Sequence, residues 1–235
     1  MSLDSPVLWL ALLQIIWINV LLSGDNAVVI ALACRSLPEK VRRTGIILGA
    51  GVAVGLRIIF TGIVATLLAL PWLKLVGSLA LMWIAVDLAS PDEGGEEAIQ
   101  SSDNLWKAVG TVAVADIVMS LDNVVAVAAI ADGDWFLLVF GLAISIPLII
   151  AGSSLVMALI NRFPLLVWAG AALLGWVAGD MLLGDVAIIE RLGEETTHHL
   201  HRIVSAGGAA LVVGLALALR WYKGRRAHAH DDLAA

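Results

Sequence analysis

Seven stretches of this chain carry few or no charges over the length of a membrane-crossing helix: about residues 7–33, 45–70, 72–89, 106–131, 136–160, 165–183 and 203–222. A hydrocarbon core about 30 Å thick needs roughly 20 helical residues. The third and sixth stretches are the shortest. The first and fourth are long, and a long span tilts or contains a break. Composition agrees: only 14% of the 235 residues are charged and 60% are hydrophobic, too little charge for the surface of a soluble domain of this size. The expected fold is an all-α membrane protein with seven transmembrane helices.

Lysine and arginine set the expected orientation. Arg35, Lys40, Arg42 and Arg43 follow the first span, Lys107 precedes the fourth, Arg162 follows the fifth, and Arg220, Lys223, Arg225 and Arg226 close the seventh. The other side has only Lys74, Arg191 and Arg202, and Arg57 lies inside the second span. The bias predicts a bacterial inner-membrane protein with its N-terminus outside and its C-terminus in the cytoplasm. The first nine residues lack the basic start of a cleavable signal peptide, so the first apolar segment reads as retained. The formal charge of −6 comes mostly from loops and special helix positions, and implies no nucleic-acid partner. Cys34, the single cysteine, excludes a disulfide framework and a cysteine-based zinc site.

The chain contains an internal repeat. Ser23-Gly-Asp25-Asn26 resembles Ser120-Leu-Asp122-Asn123, 97 residues on, and five of the eleven positions from residue 23 are identical. Gly77, Leu81, Trp83, Ala85 and Asp87 match Gly170, Leu174, Trp176, Ala178 and Asp180, 93 residues on. Three spans per repeat reverse the orientation of the second copy. The expected organisation is a first three-helix repeat (1–90), an acidic cytoplasmic linker (91–105), a second, inverted three-helix repeat (106–184), an external loop (185–202), and a seventh helix with a cytoplasmic tail (203–235). Inverted repeats place binding sites near the bilayer midplane, between the halves.

Asp25, Asp87, Asp116, Asp122, Asp180 and Arg57 fall within or near the ends of spans. Each costs roughly 2.5–3.5 kcal/mol at a helix centre, so they must face one another, water or a cation. Asp87 and Asp180 sit close enough to span ends to reach an interface. On an ideal helix Asn19, Ser23 and Asn26 share one face, as do Asp116, Ser120 and Asn123, with Asp25 and Asp122 about 100° away from their neighbouring asparagines. An unwound turn at each Ser-x-Asp-Asn would let these groups converge. Gly24 favours a break in the first repeat, and Leu121 favours it less in the second. The result would be an all-oxygen site of carboxylates, amides and hydroxyls, suited to Mn²⁺, Mg²⁺ or Ca²⁺. With the ion gone, one or both aspartates could take up protons, which points to proton exchange. The rival structural reading pairs Asp25 or Asp122 permanently with Arg57; Arg57 reads equally as a salt-bridge member or as part of the ion path.

The two motif stretches, "LLSGDNAVVIALACRSLP" and "MSLDNVVAVAAIADGD", resemble the paired motifs of the TerC family of integral membrane proteins, over about residues 7–222. The resemblance is greatest to the short bacterial branch without appended domains. It implies kinship with lysine-exporter-like transporters of inverted-repeat design. It also implies efflux of Mn²⁺ as the transported substrate, with Asp25, Asn26, Asp122 and Asn123 as the motif residues. Tellurite resistance is a further association, leaving Ca²⁺ or another cation as an alternative cargo. Asp87, Asp116 and Asp180 join the expected metal set from position and repeat; Asn19, Ser23, Ser120 and Arg57 are expected in support. No permanently bound cofactor and no enzyme activity are expected. The partners are the divalent cation and the lipid bilayer.

Other features read as ordinary. His198, His199 and His201 fall in the external loop and His228–Asp232 in the tail, both read as solvated, with the tail disordered. The middle of the external loop suits a short surface helix. Asp132 and Asp134 are turn residues, and the tryptophans near span ends are interfacial anchors. A membrane scaffold that assists assembly or metal loading of exported proteins is the competing function. An intramembrane aspartyl hydrolase fits poorly, because both aspartates recur with asparagine in matching repeats.

Overall fold

A computed structural model describes residues 13–14, 24–68, 70–90, 101–131 and 135–234. All regular elements among them are helices: α1 (Gly24–Cys34), α2 (Glu39–Leu68), α3 (Leu73–Ala89), α4 (Ser101–Ala131), α5 (Trp135–Arg162), α6 (Leu166–Leu183), α7 (Val186–Leu192) and α8 (Glu194–Ala234). Four of them contain segments long and apolar enough to cross a membrane: Glu39–Thr61, Val139–Arg162, Leu166–Leu183 and Glu194–Lys223. Gly24–Cys34 is a shorter apolar helix.

The bundle is apolar on its outside as well as its inside. Ile59, Leu155 and Leu165 are 64%, 62% and 78% exposed. Such residues face lipid at no cost and would be a liability in water. The innermost element is α1. Val29, Ile30, Ala31, Leu32 and Cys34 are all fully buried, so no face of this stretch is free. It packs against α2, α4, α5 and α6. Around it, α2 lies along α4, and α3, α6 and α8 form a second group.

The seam between α6 and α8 is the tightest in the molecule's described part. A Cβ on Gly175 would lie 2.6 Å from the Gly208 carbonyl oxygen, and one on Gly179 would lie 2.6 Å from that of Val204. Only glycine lets the two backbones approach this closely.

Several elements exceed the sequence expectation. α8 begins at Glu194 and runs through the tail, which the sequence reads as disordered beyond 222. Glu194 and Glu195 in its first turn favour an early start, and no proline or strand-forming run interrupts it. The short surface helix in the external loop is α7. It is capped by Asp185, which accepts the N–H of Ala187 at 2.9 Å. Residues 91–100 of the linker, and Asp132 and Asp134, lie outside the described residues.

Asp185 does more than cap α7. Its Oδ1 also accepts the N–H of Trp72 at 3.0 Å, and its Oδ2 accepts that of Leu75 at 3.2 Å. One buried carboxylate thus holds the start of α3 to the start of α7. Burial alone pushes this carboxyl up; the N–H groups of Trp72, Leu75, Ala187 and Lys74 outweigh it and hold Asp185 below its usual value. Trp72 has φ 69°, in the left-handed region that bulky residues avoid. The Asp185 hydrogen bond and the Arg191 guanidinium, 4.7 Å from the Trp72 ring centroid, fix it there.

Candidate cation site

The polar centre of the bundle is built on α2 and α4. Arg57 is 1% exposed and Asp116 3%. An Arg57 Nη2 lies 2.8 Å from Asp116 Oδ1, and Arg57 Nε donates to Ser120 Oγ at 3.2 Å. Ser120 Oγ in turn donates to Asp116 Oδ2 at 3.1 Å. Asp116 and Ser120 stand one turn apart on α4, so a single helical face presents both to Arg57. The carboxylate is neutralised and both its oxygens are bonded. This is the condition under which a buried ion pair survives in a low-dielectric core.

Asp25 and Asn26 stand in the first turn of α1, within electrostatic reach of Arg57 and Asp116. Asp25 is half-buried, and its Oδ1 accepts the Asn26 N–H at 2.8 Å. Asn26 is 4% exposed. α1 and α4, the helices that carry the two Asp-Asn motifs, touch one another.

The second motif corrects one expectation. α4 is continuously helical through Ser120, Leu121, Asp122 and Asn123, so no unwound turn exists there. Leu121 brings an ordinary helical residue where the first repeat has Gly24, and the ladder of hydrogen bonds has no reason to open. The described helix of the first repeat begins at Gly24, and Asn19 and Ser23 lie outside the described residues. The side chains of Asp122 and Asn123 also lie outside them. Among the described residues, no three His, Cys, Asp or Glu side chains converge as a metal-binding group.

Residues 4–228 match the family described as integral membrane protein TerC family. The chain belongs to the TerC family. It is 43% identical over 176 residues to the uncharacterized membrane protein YjbE of Bacillus subtilis, covering 75% of this chain and 80% of YjbE. It is 30% identical over 188 residues to the uncharacterized membrane protein YceF of the same organism, covering 76% of this chain and 73% of YceF. No solved structure matches. This TerC-family chain is thus a multi-pass integral membrane protein.

The remaining acids of the TerC-family chain go elsewhere. Asp87 is exposed in the last turn of α3. Asp180, 51% exposed at its side chain, meets His201 Nδ1 at 2.9 Å and accepts from Ser205 Oγ at 3.4 Å, both on α8. Neither joins the Arg57 hydrogen bonds. The repeat match in Trp-x-x-x-Asp therefore marks an outward-facing position. Trp83 and Trp176, one turn before these aspartates, are 76% and 42% exposed.

The sequence reading weighed Asp25 and Asp122 for Arg57 and did not single out Asp116, which the structure brings to its guanidinium; the Asp122 side chain lies outside the described residues. The available signal was Ser120, four residues after Asp116, which completes a two-point acceptor on one face. The role of Asp185 was also missed. An aspartate just before an apolar run signals an N-cap, but nothing local points to Trp72 and Leu75, more than a hundred residues away.

Proposed function

We propose that this protein is a secondary transporter that exports divalent metal cations, most favourably Mn²⁺, from the cytoplasm. The carrying observation is the contact of the two motif-bearing helices in the core, with Asp25 in reach of the buried Arg57–Asp116 pair. In this reading Arg57 and Ser120 satisfy Asp116 and shape the wall of the site. Asp25, Asn26, Asp122 and Asn123 supply hard oxygen ligands, and two aspartates balance the charge of one divalent ion.

The seven-span, inverted-repeat architecture belongs to the same proposal. It is supported by which helices pair. α1 packs on α5 and α4 packs on α2, while α2–α5, α1–α4 and α3–α6 also touch. Exchanging the first three spans with the second three turns this set of contacts into itself. The cation crosses as the halves rock about the midplane, with the N-terminus outside, the C-terminus in the cytoplasm and protons returning in exchange.

The test is Mn²⁺ flux into vesicles holding the purified protein, beside Asp25→Asn and Asp122→Asn, with Ca²⁺ and Mg²⁺ as competitors. Wild-type flux that both substitutions abolish is the expected result. Full flux in both variants would remove the site, and no flux in the wild type would favour a scaffold.

A further inference from the structure

We propose that Arg35 and Arg220 form a binding site for the phosphate of an anionic lipid, where α1, α6 and α8 meet at one end of the bundle. The site is separate from the proposed cation path and does not depend on it.

Geometry brings the two arginines together from different elements. α1 leans on α6 at Gly170, where a Cβ would lie 3.0 Å from Leu32 Cδ1 and 3.0 Å from Val28 Cγ1. Arg35 follows Leu32 by less than one turn, and Trp168 precedes Gly170 by less than one turn. Arg220 of α8 lays its guanidinium 5.3 Å from the Trp168 ring centroid. Arg220 therefore stands beside the place where α1 ends, close enough that its charge acts on Arg35.

The turn that carries Arg35 is held in shape. Arg42 Nη2 donates to the carbonyls of Arg35 at 3.3 Å and Leu37 at 3.0 Å, and the Leu37 N–H donates to Cys34 O at 3.1 Å. Arg35 is half-buried, so its charge is not left to water alone. Among the described residues, neither Arg35 nor Arg220 forms an ion pair; the pairs are Arg57–Asp116 and His201–Asp180. Two like charges at close range raise each other's energy, and an anion between them reverses the sign. Guanidinium groups match phosphate with paired, parallel hydrogen bonds.

The surroundings select a lipid over a soluble anion. Leu165 at the start of α6 is 78% exposed and Leu217 on α8, one turn before Trp221, is 52% exposed. These surfaces suit acyl chains. Trp221 and Tyr222, 62% and 51% exposed, mark the headgroup level, where Arg225 lies 3.9 Å from the Trp221 ring centroid. Basic pockets between transmembrane helices bind anionic headgroups in this setting.

The experiment is native mass spectrometry of the purified full chain in detergent, mixed with phosphatidylglycerol or phosphatidylcholine of matched chains. Wild-type protein should retain phosphatidylglycerol in preference. Arg220→Gln should reduce that preference about fivefold, and Arg35→Gln with Arg220→Gln about 25-fold. Arg220→Lys should fall between wild type and Arg220→Gln. Equal retention of both lipids by the wild type overturns the proposal, as does an unchanged preference in the double variant. If the double variant fails to fold, Arg220→Gln alone decides, because Arg220 is exposed. Displacement of the lipid by an equal concentration of glycerol phosphate overturns the assignment to a lipid.

Discussion

Arg57 of α2 and Asp116 of α4 meet at 2.8 Å with both side chains almost fully buried. The pair ties the two helices together in the apolar core, and each partner depends on the other. Removing Arg57 takes the paired cation from the buried Asp116 carboxylate, and removing Asp116 takes a bonded carboxylate from the buried guanidinium. Arg57→Gln or Asp116→Asn should each destabilise the protein by roughly 3–5 kcal/mol. Replacing both by apolar residues of similar volume should recover much of that loss. Denaturant unfolding in detergent, followed by the intrinsic tryptophan signal, measures the cycle.

Asp25 and Asp87 should separate in function. Asp25 is half-buried and within electrostatic reach of the buried pair, whereas Asp87 is exposed at the end of α3. Asp25→Asn should cut Mn²⁺ flux in vesicles at least about tenfold, the order expected for loss of a charged ligand that leaves its cargo under-neutralised. Asp87→Asn should leave flux close to wild type. Equal losses would place Asp87 in the path.

The seam of α6 and α8 should not tolerate side chains. Gly179→Val would drive a branched group into the backbone of Val204 and Ser205, where even a Cβ comes within 2.6 Å and 2.8 Å. The backbone cannot swing aside as a side chain can. The loss should reach or exceed about 1–3 kcal/mol, seen as a lower melting temperature in detergent. Gly207→Ala, where a Cβ meets nothing, is the control.

Asp185 should give stability a dependence on acid. Its carboxyl is held below the usual value in the folded chain, so the unfolded chain binds the proton more readily. The contribution is full above about pH 3.9 and is lost as pH falls through the folded value. Asp185→Asn should therefore be less stable than wild type at pH 7, and the gap should narrow toward pH 3. Thermal unfolding of both proteins across that range is the measurement.

Local chemistry was readable from the sequence, and distant pairing was not. Helices α2, α3, α5 and α6 fall within a few residues of the apolar stretches, because the pattern of charge alone marks where lipid begins. The unwound turn failed at Leu121, because a straight helix needs only ordinary residues and Asp122 does not by itself break one. The tail failed for a related reason. Polarity after Tyr222 announces departure from the membrane, but it does not forbid helix. Arg57 was visible as a lone cation, yet its choice of Asp116 depends on how α2 rotates against α4. Asp185 was readable as a cap, and its reach to Trp72 is a property of the fold.

The length of α8 turns the glycine seam into a lever. At about 1.5 Å per residue, a helix the length of α8 extends roughly 60 Å, twice the hydrocarbon thickness. The seam holds α8 at residues 204–212, and Arg220 still reaches Trp168 of α6, so the lever is the stretch beyond Arg220. Whatever small rotation α6 undergoes is therefore magnified at the far end of α8. A tilt of about 10° there would sweep the tip by roughly 4 Å. A spin label or fluorophore near the C-terminus would read motions of the buried core that are too small to see at the core itself.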